Sequence, residues 1–319
     1  LLLIAASTAG AVGYGMLTLD RQFDGDLWYL VVLAALIIAY GGFALGRGYL
    51  AGRLRYREYG LSTFAESMLR LVLAIALLTA GMGSLGLSWT LVAGALVIWF
   101  WLPLRGERIR EAGVDREAGS AKTLATFIAS NASAQTLVAA GPLVVSALGG
   151  SHAAQSVFFE TFLLFRAPLT ISYSLIARVL PPFTAMVERG QIRILHRWAI
   201  RIAAAGTVLA TAAYGLGRLA GAGLVEVLLG ADFRPTPELA ALAAAGTTLA
   251  TVALFEQQLL IAMRSTRSMA VAWLVALGVA ALVILPNGAE APLRVGRAFL
   301  AGEVTALFGL TMAVVRRRS

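Results

Sequence analysis

The chain has 319 residues, 59% of them hydrophobic and 13% charged, with a mean hydropathy of +0.80 and a formal net charge of +9. A soluble globular chain carries about 25% charged residues, so roughly half that share, spread between long apolar runs, marks an integral membrane protein. Cysteine is absent, which excludes disulfides, thiolate catalysis and cysteine-ligated metals, and the two histidines, His152 and His196, fall in different predicted loops, which argues against a histidine-built metal centre.

The first residues, LLLIAASTAG, open inside an apolar run with no charged stretch ahead of them and no small-residue cleavage site. They read as a membrane segment and not a signal peptide, and the natural chain is expected to start upstream. Spanning a bilayer takes about 20 apolar residues in a helix. Ten segments fit: 1–19, 27–46, 59–80, 85–104, 123–148, 153–180, 194–217, 239–263, 268–286 and 293–315. No β-alternation competes with them, so the predicted class is all-α, a polytopic membrane protein.

Charge tests the layout. With the first helix running outward, the loops on the inner side and the C-terminus hold eighteen basic residues, among them Arg47 to Arg57, Arg105 to Lys122, Arg189 to Arg201, Arg264, Arg267 and Arg316 to Arg318. The opposite loops hold five: Arg21, Arg218, Arg234, Arg294 and Arg297. Short loops rich in Lys and Arg stay cytoplasmic, so the C-terminus is expected in the cytoplasm. The basic balance is then topology and not a nucleic-acid footprint.

RGERIREAGVDREAGSAK (105–122) mixes both signs and three glycines, and reads as a solvated cytoplasmic connector. It divides an N-terminal lobe of four helices (1–104) from a C-terminal lobe of six (123–319). A weak internal echo supports two parts: YLAGRLRYREYGLSTF (49–64) and LLIAMRSTRSMAVAW (259–273) are both basic turns between apolar helices. On that matching two helices are missing ahead of residue 1, and the parent is six plus six.

The three basic residues left over, Arg70, Arg166 and Arg178, lie inside or at the edge of predicted helices. A charge at the bilayer centre costs about 2.5–3.5 kcal/mol on insertion scales, so it faces a bundle interior or a wet cavity, paired or binding something. In FFETFLLFRAPLTISYSLIARVLPPF (158–183), Glu160, Ala167, Ser174 and Arg178 form one stripe, which Arg166, Thr170 and Tyr173 widen into a polar sector. Arg166 falls near mid-membrane. Pro168 beside it lacks an N–H and frees the carbonyl of Leu164, which suits a cavity wall and makes a hinge. Arg166 faces a substrate, or it pairs with Glu160 or another buried Glu and only locks helices together.

Other groups join the inventory. Ser62, Glu66 and Arg70 follow i, i+4 spacing with the Glu N-terminal, the favoured order for a pair on one helix. Asn131 and Gln135 share a stripe with Ser130 and Ser133, which suits either tight helix packing or a cavity. Glu256, beside Gln257 and Gln258, and Glu303 are candidates, with Glu66 and Glu160, for a coupling proton or sodium ion. No phosphate-binding G-x-x-x-x-G-K-[ST] loop is present, so any transport is secondary or potential-driven, with no cofactor.

RAPLTISYSLIARVLPPFTAMVERG (166–190), ASNASAQTLVAAGPLVVSALGG (129–150), LLGADFRP (228–235) and GRLRYREYGLSTFAESMLRLVLA (52–74) together resemble the polysaccharide-exporting, O-antigen-type branch of the multidrug/oligosaccharidyl-lipid/polysaccharide (MOP) flippase superfamily. The resemblance implies a MATE-like fold of two six-helix lobes around a central cavity that opens alternately to each side. It implies a flippase, not an enzyme, that moves a polyprenyl-pyrophosphate-linked oligosaccharide from the inner to the outer leaflet of a bacterial inner membrane. Envelope-polysaccharide glycosyltransferases or a polymerase would be its partners, beside the membrane lipids. Arginine suits the pyrophosphate, with a fixed charge and forked donors, so Arg166 and Arg70 are the expected diphosphate ligands, with Arg178, Asn131, Gln135 and Tyr173 lining the path and Pro168 as hinge. Two other functions compete. A drug or cation antiporter needs acidic groups in the cavity, and a polyprenyl-sugar glycosyltransferase needs outer-loop acids such as Asp20, Asp24 and Asp26.

Overall fold

A computed structural model describes residues 2–23, 25–53, 55–101, 119–285 and 288–317. Most of the predicted connector, 105–118, and Asp24 lie outside the described residues. Among the described residues every regular element is helical and there is no strand. The chain divides into two compact units, Leu1–Val114 and Asp115–Ser319.

The first unit holds α1 (Leu2–Leu17), α2 (Leu19–Gln22), α3 (Trp28–Gly52), α4 (Tyr56–Thr79) and α5 (Ser84–Leu96), the last tightening into a 3₁₀ turn, Val97–Phe100. Val32, Ala39, Phe43 and Leu50 of α3 bury themselves against Val92 and Ala95 of α5 and Ile98 of the turn. These α3 positions recur at helical spacing, which gives one packed stripe and leaves Val31, Ile38 and Leu45 turned outward. Gly81, between α4 and α5, has φ +73°, a left-handed conformation that a side chain would strain.

The second unit holds α6 (Gly119–Ala139), α7 (Gly141–Ala147), α8 (His152–Phe165), α9 (Ala167–Glu188), α10 (Ile192–Leu216), α11 (Ala222–Leu229), α12 (Pro237–Ala262), α13 (Thr266–Ile284) and α14 (Ala291–Val315). Its centre is α12, packed by α8, α9, α10 and α14, with 78% of its most apolar window buried. The reason is in its sequence: LAALAAAGTTLATVALF is apolar on every side and built largely from small residues, so neighbours close in all round. Gly246 of α12 receives the Phe299 ring of α14, and Gly206 of α10 receives Val252.

Among the described residues, six helical spans are long and apolar enough to cross a membrane: α3, α4, α10 with α11, α12, α13 and α14; α6 and α7 make a seventh if counted as one bent span. This is a multi-pass membrane protein. The ten predicted segments all contain helices, yet four depart from a single straight span. The segment 1–19 contains α1, 16 residues long, and 85–104 contains α5, 13 residues before its 3₁₀ turn. The segment 123–148 bends by 63° at Ala140, where Pro142 opens α7 without an N–H to continue α6. The segment 153–180 breaks at Arg166. In the other direction, 194–217 proves too short: α10 runs through a π-helical turn, Gly217–Gly221, into α11, 38 residues in all.

Candidate functional site: charged side chains within apolar helices

In the first unit the predicted i, i+4 pair forms and gains a third member. Glu66 is 5% exposed. Its Oε1 accepts the Tyr40 hydroxyl at 2.5 Å and Arg70 Nη1 at 3.0 Å, and Arg70 Nη1 also donates to the Tyr40 oxygen at 3.1 Å. Ser67 Oγ donates to Glu66 Oε2 at 3.2 Å. Charge on the carboxylate is thereby matched by one guanidinium and two hydroxyls, the satisfaction a buried charge requires. The aliphatic stem of Arg70 crosses α5 at Gly94, where a Cβ would stand 2.4 Å from Arg70 Cγ and 2.8 Å from Cδ. Sequence reading missed Tyr40 and Gly94. A tyrosine inside an apolar run wants a partner for its hydroxyl, but which helix supplies that partner is a tertiary fact.

The turn between α3 and α4, whose basic and aromatic composition stands out in the sequence, is fastened the same way. The Arg47 guanidinium lies 4.2 Å from the Tyr59 ring centroid and 5.6 Å from that of Phe43, and it donates to the Tyr59 hydroxyl. Arg53 stacks over Tyr49 at 5.1 Å, and Arg55 pairs with Glu58.

In the second unit Arg166 is the single residue between α8 and α9. Pro168 was expected inside one helix with the Leu164 carbonyl freed. Instead α8 ends at Phe165 and α9 opens at Ala167, so Pro168 stands in the first turn, where a missing N–H costs nothing. The Arg166 N–H still donates to Phe162 O at 3.0 Å, and the Arg166 carbonyl accepts Thr170 N–H at 3.0 Å. The two helices therefore keep their hydrogen-bond ladder through Arg166. Phe158, Phe162 and Leu169 bury themselves on the packed side, whereas Glu160 and Arg166 are half-buried and Pro168 and Thr170 are exposed. The polar sector thus survives the break as far as Thr170. The side chains of Tyr173, Ser174 and Arg178 lie outside the described residues.

On α6 the two halves of the predicted polar stripe separate. Ser130 and Ser133 are buried, and Thr126 one turn back donates to Thr266 of α13 at 3.0 Å. Asn131 is half-buried, its Nδ2 donating to Phe127 O at 2.9 Å, and Gln135 is exposed. The serines serve packing; the amides face away from it.

Glu256 of α12 and Glu303 of α14 are both fully buried, and none of their four carboxylate oxygens has a hydrogen-bond partner among the described residues. Their polar neighbours in sequence are spent elsewhere: Gln257 accepts Trp273 Nε1 at 2.8 Å, and Gln258 Nε2 donates to Leu254 O at 3.2 Å. A carboxylate left charged there is costly, and a bound proton or cation removes that cost. Among the described residues no three His, Asp or Glu side chains gather to hold a metal ion.

The chain is similar to an uncharacterized protein of Mycobacterium bovis and to uncharacterized proteins of two strains of Mycobacterium tuberculosis, 28% identical over 265 residues in each case. The matched region covers 77% of this chain and 60% of each relative, so the chain spans well under two thirds of the curated relatives it matches. No family model matches the chain. No solved structure matches it.

Proposed function

We propose that the chain belongs to a flippase of the bacterial inner membrane that carries a polyprenyl-pyrophosphate-linked oligosaccharide from the inner to the outer leaflet by alternating access, for cell-envelope polysaccharide synthesis. The observation that carries the reading is Arg166, a half-buried guanidinium at the junction of two helices in a largely apolar bundle. A charge within a membrane protein faces a bundle interior or a wet cavity. A guanidinium in such a place offers a diphosphate several forked donors and a charge that is never lost. Arg70, held by Glu66 and Tyr40, is the second arginine of the reading. The prenyl tail stays in lipid while the headgroup crosses. In the full-length protein reconstituted into liposomes, Arg166→Ala lowers glycan-lipid translocation about a hundredfold or more, as expected for a lost charged contact of about 3 kcal/mol, and Arg166→Lys restores part of it. Full activity in the folded Ala variant sinks the assignment.

A second reading, an ion-coupled antiporter of the same superfamily, is favoured by Glu256 and Glu303. Their partnerless carboxylates suit exchange of a proton or sodium ion. Under that reading Glu256→Gln or Glu303→Gln abolishes transport and Arg166→Ala spares it; under the flippase reading Arg166→Ala abolishes it, and the glutamines remove at most its ion dependence.

A further inference from the structure

Besides these groups, one groove combines charge and apolar surface. It runs between α13 and α14, encloses about 820 Å³, and lies at the end of the second unit where α13 starts and α14 stops. Its floor is made of small residues: a Cβ on Gly309 would meet Ala272 Cβ at 3.1 Å, so the two helices approach closely and the groove is cut deep. Val271 and Val275 of α13 and Phe308 and Met312 of α14 are its exposed apolar residues. They fall on one stripe of each helix, three to four residues apart.

One end is basic. Arg267, the second residue of α13, and Arg316, just past α14, both line the groove and are exposed. Arg317 stands beside them and donates to the carbonyl of Met263, which holds the end of α14 against the end of α12. Among the described residues no acidic side chain lines the groove, and neither Arg267 nor Arg316 has an ion pair. Ser265 and Ser268 add two hydroxyls at the same end. From Arg267 to Val275 the apolar floor runs about 12 Å at 1.5 Å per residue. Half of a hydrocarbon core about 30 Å thick is about 15 Å. The groove therefore matches one leaflet, with its charge at the interface.

We propose that this groove is a binding site for an anionic phospholipid, its phosphate held by Arg267 and Arg316 and one acyl chain lying along Val271, Val275, Phe308 and Met312. Basic pockets between transmembrane helices at a membrane surface have the chemistry to recognise such headgroups. The proposal needs the membrane assignment alone and is independent of the cargo. A lipid seated there ties α13 to α14 in the leaflet that faces the arginine-rich loops.

Native mass spectrometry of the full-length protein from neutral detergent, with phosphatidylglycerol or phosphatidylcholine of the same chains added, tests it. Phosphatidylglycerol adducts are expected to exceed phosphatidylcholine adducts by about tenfold or more, two interfacial arginines being the source of the preference. Arg267→Ala with Arg316→Ala removes the preference, and the corresponding double lysine variant keeps it. Val275→Trp, a change at an exposed position that fills the groove, lowers the adducts with the arginines intact and covers the case in which the double alanine variant fails to fold. Equal binding of the two phospholipids overturns the site. So does a preference that survives both the alanine and the tryptophan variants, or retention of an isoprenoid diphosphate with no retention of phosphatidylglycerol.

Discussion

Arg70 lies alongside Glu66 because position 94 of the facing helix has no side chain. Gly94→Ala would press a methyl group into Arg70 Cγ and Cδ, and the stem must swing away and weaken its bond to the carboxylate. The expected loss is about 1–3 kcal/mol, read as a lower thermal midpoint in detergent. In an Arg70→Ala background the same glycine change should cost much less, since nothing is left to displace. Equal losses in both backgrounds contradict the coupling. Glu303 predicts the reverse behaviour. Glu303→Gln removes an ionisable group that has no partner, so the thermal midpoint holds or rises; a clear drop means the carboxylate is needed for packing. At this scale the sequence told half. The spacing of Glu66 and Arg70 and the loneliness of Glu303 in an apolar run were legible, because both are properties of one helix. Tyr40 and Gly94 were not, because they act across a helix pair that spacing alone does not choose.

At the scale of elements, prolines and glycines account for most of the departures from straight spans. Pro142 and Pro168 each open a new helix where one continuous segment was predicted. The interruption could be anticipated from the missing N–H; the proline's position in the first turn of the next helix could not. Gly217 marks the opposite error, a helix predicted to end that continues through a π-helical turn into α11. A Cβ there would stand 2.9 Å from the Ala240 carbonyl oxygen and 2.9 Å from the Ala241 Cα. Since those atoms are backbone of the most buried helix, no side-chain rotation relieves the clash. Gly217→Ala is therefore expected to destabilise by about 1–3 kcal/mol, and Gly215→Ala, two residues earlier with open space around it, by well under 1 kcal/mol or not at all. Similar losses at both positions would show that the close approach of α10 and α12 is not what the glycine serves. The central place of α12 was foreshadowed by its composition, apolar on all sides, though which four helices surround it depends on long-range packing.

For the whole molecule, low charge content and long apolar runs led directly to a multi-pass helical protein, and the six clear spans bear that out. Ten spans were expected; hydropathy alone does not tell a 13-residue helix with a 3₁₀ end from a crossing. The flippase reading rests on one proposed piece of chemistry, guanidinium groups receiving a diphosphate that hydrocarbon would reject. The measurement that tests this most directly is translocation by the full-length protein in liposomes, comparing a polyprenyl-pyrophosphate glycan with a lipid carrying the same glycan and no phosphate. The account predicts that the diphosphate lipid crosses and the neutral one does not; equal crossing of the two, or crossing of neither above the rate of protein-free liposomes, contradicts it.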